Sequence, residues 1–152
     1  MRLLNSVCKV IASSFTDKPV HIEEVPNQIK RDCFYVHTPT ESSVIKNANV
    51  YEDNPLFQIV YFGKRNEANQ VLGEELYRVK EELKALFLLK KAVPVLPLEG
   101  VSEKPRYAKI ETYSCDVRID EGAVYAKLTL SFTEDIPKSD PYEPIGEVYL
   151  QI

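Results

Sequence analysis

The stretch Val20 to His37, VHIEEVPNQIKRDCFYVH, constrains the fold more than any other part of this chain. It reads as two short β-type runs, Pro19 to Glu24 and Asp32 to His37, joined through a turn at Pro26-Asn27. In the second run Cys33, Phe34, Tyr35 and Val36 are apolar or aromatic at successive positions. Successive strand residues point to opposite faces, so such a strand needs cover on both sides. Leu56 to Phe62 makes the same demand. A small domain seldom has enough chain to cover a sheet twice, so the pattern points to a neighbouring subunit as the second cover.

The surrounding sequence supplies helices and more strands. Leu3, Leu4, Val7, Cys8, Ile11 and Phe15 fall on one helical face, which predicts an amphipathic helix over residues 2–15. Pro39 is expected to stop the second strand, with His37 at its end, and the polar residues 41–50 read as a loop or a projecting hairpin. After Gly63, Asn66 is placed to N-cap the longest helix, with Leu72, Leu76, Val79, Leu83, Leu86 and Phe87 as its buried stripe. Glu74 and Arg78 have the spacing of an i,i+4 pair on its outer face. Lys90-Lys91 suits the negative end of the helix dipole, and a connection containing Pro94, Pro97 and Pro105 follows.

A hairpin closes the pattern. Tyr113, Cys115, Val117 and Ile119 share one face; Val124, Ala126, Leu128, Leu130 and Phe132 form the apolar face of the return strand. The faces coincide if Ile119 lies opposite Val124 and Cys115 opposite Leu128, which demands an even-numbered loop around Glu121-Gly122. The fold class is therefore α+β: a mixed, mainly antiparallel sheet packed against an N-terminal helix and one long central helix, with a C-terminal β-hairpin. The domain is expected to span residues 1–133. Residues 134–152 form a Pro-rich extension with a β-like run, Glu147 to Ile152, that must pair with a sheet edge of its own or another subunit.

Charge and cysteine content narrow the function. A net charge of −4, with basic residues in isolated pairs (Lys30-Arg31, Lys64-Arg65, Lys90-Lys91), gives no stripe for gripping nucleic acid, and such pairs read as solvated surface. The three cysteines, Cys8, Cys33 and Cys115, lie in apolar surroundings and read as free thiols of a reducing compartment. Asn5, Ser6 and Lys9 interrupt any signal-like apolar region, and no run approaches the ~20 residues needed to span a bilayer. The expected site of synthesis and assembly is the cytoplasm.

Catalytic patterns are missing from the chain. His21-Ile22-Glu23 matches the H-x-E half of a zinc deaminase site, but no P-C-x-x-C half accompanies it, and His21 reads as strand surface. Cys33 and His37 share a strand face yet sit about 13 Å apart by strand rise, too far for a thiol–imidazole pair. Glu23-Glu24 and Glu81-Glu82 are neighbours whose side chains diverge, so neither is a carboxylate dyad. No G-x-x-x-x-G-K, G-x-G-x-x-G or G-x-S-x-G can be drawn. No residue is assigned a catalytic, cofactor-binding or metal-ligating role.

The order of elements, with Ile22-Glu23-Glu24-Val25-Pro26, Cys33-Phe34-Tyr35-Val36, Phe57-Gln58-Ile59-Val60-Tyr61-Phe62 and the hairpin Tyr113 to Phe132, resembles the phage tail terminator family. The resemblance covers roughly residues 1–133 and rests on hydrophobic strands rather than chemical signatures. It implies a structural protein without catalytic residues or cofactors. It further implies a hexameric ring on the head-proximal end of a phage tail or phage-tail-like particle, in contact with the tail tube, with a sheath if the tail contracts, and with the neck. Another head–tail connector or neck protein is the runner-up. A small α/β ligand-binding or enzymatic domain is the alternative from a different class, and it needs a convergent polar pocket that no clustered His, Cys or Gly supplies.

Overall fold

A computed structural model describes residues 1–98, 100 and 103–137. Helix α1 (Arg2–Ser14) leads into β1 (Val20–Ile22), β2 (Cys33–Ile45) and β3 (Val50–Phe62). Helix α2 (Gly73–Lys84) continues through a π-type turn, residues 85–89, and is followed by β4 (Ala92–Val95), β5 (Arg106–Arg118) and β6 (Ala123–Asp135). The strands form one sheet in the order β1-β2-β3-β6-β5-β4. All neighbouring pairs are antiparallel except β1 with β2, which is parallel. The chain is thus mixed α+β, with a six-stranded, mostly antiparallel sheet and two helices.

One face of the sheet holds the main core. Phe34, Val36, Phe57, Ile59, Tyr61 and Leu128 pack there with Val7 and Ile11 of α1 and Leu76, Val79 and Leu83 of α2. Fully burying a side chain of this kind is worth about 1.5–3 kcal/mol, so these residues dominate the stability of the fold. Among the described residues Ser6 is the one polar residue buried beside them. Its hydroxyl donates to the Arg2 carbonyl (2.8 Å) and accepts from the Leu96 amide (2.9 Å), which ties α1 to the end of β4.

The opposite face carries a smaller cluster of Cys33, Tyr35, Val60, Phe62 and Ala123. Both faces of these strands are therefore buried, as their sequence requires. The second cover comes from the chain itself and not from a neighbour. Because β1 runs parallel to β2, the residues between them must return along the strand, and residues 23–32 cross this face. Val25 packs on it, and the Arg31 guanidinium lies 5.4 Å from the Phe62 ring centroid. Arg31 also donates to the carbonyls of Glu121 (3.1 Å) and Gly63 (3.3 Å), so it is a half-buried fastener, whereas its neighbour Lys30 is exposed.

Several expectations are corrected. Pro39 does not stop β2; it sits at an irregularity between His37 and Thr40, where a missing N–H is tolerated, and the strand continues to Ile45. His37 is accordingly within the strand. Residues 41–50 form the projecting hairpin, closed by Lys46 N–H to the Val50 carbonyl (3.0 Å) and by an Asx turn from Asn47 to the Asn49 amide (2.8 Å). Asn66 does not cap α2. Its side chain accepts from the Gln70 amide (3.0 Å), and Asn69 adopts a left-handed φ of 59° that a helix cannot contain. Helix α2 starts only at Gly73, with Leu72 exposed before it, yet with its π-type turn the helical segment runs to Leu89 and is longer than α1.

Two further differences concern the sheet. Pro94 lies within β4, which pairs with β5 on one side only, a place where proline costs no ladder bond. The terminal hairpin has the expected four-residue loop and matching faces, but its register is shifted by two. Val117 lies opposite Val124 and Cys115 opposite Ala126. Ile119 belongs to the turn, accepting from Gly122 N–H (3.1 Å), and is exposed instead of sharing the apolar face. The run Glu147 to Ile152 lies outside the described residues.

Candidate interaction surfaces

The groups singled out by chemistry are spread over several elements, with Glu23 and His37 lining one cavity of about 500 Å³. His21 lies in β1 with its ring stacked on Tyr35, centroids 5.2 Å apart. Glu23 follows the strand, exposed. The Cys33 thiol donates to the Lys30 carbonyl at 2.9 Å, and burial pushes its pKa up, as expected of a packed thiol and not of a nucleophile. His37 is half-buried at the β2 irregularity, its Nδ1 without a hydrogen-bond partner among the described residues. Glu82 accepts from the Ser14 hydroxyl (2.8 Å), joining α2 to α1, while Glu81 is exposed. All three cysteines are free, Cys8 and Cys33 buried and Cys115 half-buried. Burial raises the Cys8 pKa to about 11. Among the described residues no three His, Cys, Asp or Glu side chains are grouped to hold a metal ion.

Polar side chains gather instead at two ends of the sheet, where they act as fasteners. At one end the Tyr61 hydroxyl lies 2.8 Å from both Asp32 Oδ1 and Glu75 Oε1, and Lys18 Nζ lies 2.7 Å from Asp32. This joins β3 to α2 and to the segments preceding β1 and β2. Burial pushes the Tyr61 phenol far above its ordinary pKa, and both carboxylates push it the same way, so it remains a protonated donor. At the other end Arg2 donates to the Leu96 carbonyl (2.7 Å), to Glu134 (2.8 Å) and to Glu103. Arg2 and Arg106 both lie over the Phe132 ring, 5.5 and 4.2 Å from its centroid. The Arg2 cluster borders the same cavity of about 500 Å³, which Glu23, His37, Glu41 and Asp53 also line.

The exposed surfaces are of a different kind. Beyond Pro39, β2 and β3 project as an arm with β6 alongside, and residues 39–49 are exposed throughout. Val44 and Ile45 are apolar residues open to solvent there, Ile45 at 75% of its full exposure. Strand β1 covers the outer edge of β2 at Phe34, Tyr35 and Val36, so residues 40–45 present a strand edge that is unpaired among the described residues. A second surface is a groove of about 660 Å³ between α1 and β4, walled by Val10, Leu86, Pro94, Pro97 and Tyr107. A free strand edge and an open apolar groove suit protein partners better than a small-molecule substrate.

The arm was within reach of sequence reading, since Thr40-Glu41-Ser42-Ser43-Val44-Ile45 ends in β-branched residues before a turn-forming Asn47-Ala48-Asn49. The Arg2 and Tyr61 clusters join residues far apart in sequence and carry no local signal. No described helix is long and apolar enough to cross a membrane. Residues 2–141 match the model of a family described as phage tail terminator protein. A search of curated proteins finds no match.

Proposed function

The chain belongs to the phage tail terminator family, and from that premise we propose that it closes into a ring capping the head-proximal end of the tail tube. Membership supports a structural role in phage tails. In the proposed role a hexameric ring stops tube polymerisation, and sheath polymerisation in a contractile tail, and offers its far face to the neck. The observation that carries this reading is the extent of the family match, which takes in both helices and every strand of the sheet.

The surfaces support it. The arm edge and the α1–β4 groove lie on different elements, so contact between them in successive copies is heterologous, and a heterologous contact either closes into a ring or runs on as a filament. In this proposal the sheet-bearing domain, carried to the end of β6 at Asp135 and so past the expected boundary at 133, forms the body of each subunit, and the residues that follow are available for contacts with neighbours. The net charge of −4 fits a ring through which DNA passes without being held.

The test is to mix the purified protein with polymerising tail tubes and to combine light scattering with negative-stain imaging. Rings seated on one end of tubes, and tubes that cease to elongate, are expected. A protein that leaves tube ends bare and elongation unchanged overturns the proposal. Binding to portal-bearing heads in place of tube ends moves the assignment to another neck component.

A further inference from the structure

We propose that the run Glu147–Ile152 adds as an antiparallel strand to the free outer edge of β2, Thr40–Ile45. Beyond β1, that edge has no partner among the described residues, and its Val44 and Ile45 side chains stand in solvent. An unpaired, apolar strand edge is a template for another strand. The other outer edge of the sheet, β4, is short and interrupted by Pro94, which has no N–H to offer. Where β4 stops, β5 is open at residues 112–118 among the described residues, but that stretch is flanked by the Glu111 irregularity and lies at the end of the sheet away from where β6 finishes.

The path of the chain favours the β2 edge. Strands β2 and β6 run in the same direction, and β6 finishes at the arm tip, with Ile136 N–H on the Asn49 carbonyl at 2.8 Å. A segment that turns back there runs antiparallel to β2 without crossing the sheet. From β6 over β3 and β2 to a new outer strand is three strand spacings, about 14 Å. The residues between Pro137 and Glu147 reach up to about 30 Å when extended, so the arm of the same copy lies within range. Pro141, Pro144 and Gly146 fall in this connection, and Val148, Tyr149, Leu150 and Ile152 give the run β-type, apolar character. Six residues, 147–152, meet the six of Thr40–Ile45. The run lies beyond the residues matched by the family, so this contact is a property of the chain and does not depend on the ring.

Hydrogen exchange by mass spectrometry tests it on three chains: the full chain, one shortened after Pro144, and a full-length Leu150→Pro variant, whose proline breaks strand pairing. In the full chain the amides of residues 40–45 are expected to exchange at least tenfold more slowly than in either variant, with residues 57–62 protected equally in all three. A synthetic peptide of residues 146–152 added to the shortened chain is expected to restore the protection. If protection of 57–62 also falls in the shortened chain, the Leu150→Pro comparison decides. Equal exchange at 40–45 in the full chain and the Leu150→Pro variant overturns the proposal. Protection that grows with protein concentration assigns the run to a neighbour's arm, and protection independent of concentration assigns it to its own; either supports the pairing. No tail tube enters the experiment, so a negative result leaves the capping role untouched.

Discussion

The Tyr61 hydroxyl sits 2.8 Å from Asp32 Oδ1, although 29 residues separate the two in the chain. It also sits 2.8 Å from Glu75, so its single proton serves two carboxylates, with the Lys18 ammonium 2.7 Å from Asp32 balancing their charge. The ring of Tyr61 is fully buried in the main core. Tyr61→Phe keeps that packing and removes the donor from both carboxylates. A loss of about 1–3 kcal/mol is expected, read as a lower urea midpoint with an unchanged slope.

The same cluster sets an acid limit. Burial pushes the Asp32 carboxyl up, but hydrogen bonds from Lys18 and Tyr61 and the charges of Lys18 and Lys64 outweigh it, holding the group below the usual carboxylate range. In the unfolded chain the carboxyl titrates near ~3.9. Between the two values the unfolded state binds more protons, so stability rises with pH there. The contribution of Asp32 is therefore complete above the unfolded value and is lost as pH falls through the folded one. Denaturation midpoints measured from pH 6 down to pH 2 are expected to converge for the wild type and Asp32→Asn. A gap that stays constant with pH contradicts this assignment.

What the sequence made legible follows from how local each signal is. Helix α1 and the double burial of β2 and β3 are written in residues a few positions apart, and both were readable. The start of α2 was misread because Asn66 has the side chain of a cap, while the left-handed Asn69 and the packing of Val71 decide otherwise. Strand β4 was missed because Pro94 demotes a strand in any local reading, and only its edge position makes the proline harmless. The identity of the second cover depended on β1 pairing parallel to β2, a tertiary choice that no local pattern encodes. The environments of His21, stacked on Tyr35, and of Cys33, bonded to the Lys30 carbonyl, are likewise tertiary and carry no local signal.

Gly122 is a turn residue at which any side chain is strained. Its φ is +65°, and a Cβ there lies 2.5 Å from Val71 Cγ2, with a Gly63 Cβ equally close to the other methyl of Val71. Gly122→Ala therefore combines left-handed strain with a clash against a buried side chain, a cost of about 2 kcal/mol or more. In a Val71→Ala background the 2.5 Å contact with Cγ2 disappears, while the strain and the 3.0 Å approaches to the residue-71 Cβ and Arg31 Nη1 stay. The Gly122→Ala penalty is expected to shrink in that background to about 1 kcal/mol. An equal penalty in both backgrounds, measured by a double-mutant cycle of urea unfolding, removes Val71 from the account.

Arg2 stands in the first turn of α1, where the helix dipole disfavours a positive charge. Its side chain is only 16% exposed, and Glu103 and Glu134 offset the dipole while the Leu96 carbonyl takes a third donor. The guanidinium consequently joins α1, the end of β4 and the last residues of β6, which pair with β3 near the arm tip. Arg2→Ala leaves two carboxylates without their main partner and uncovers one side of Phe132. A loss of about 1–3 kcal/mol is expected, together with faster hydrogen exchange at residues 133–135. Arg2→Lys restores the charge but not the forked geometry that reaches three acceptors at once, so it is expected to recover less than half of the loss. Full recovery by lysine reduces the role of Arg2 to charge alone.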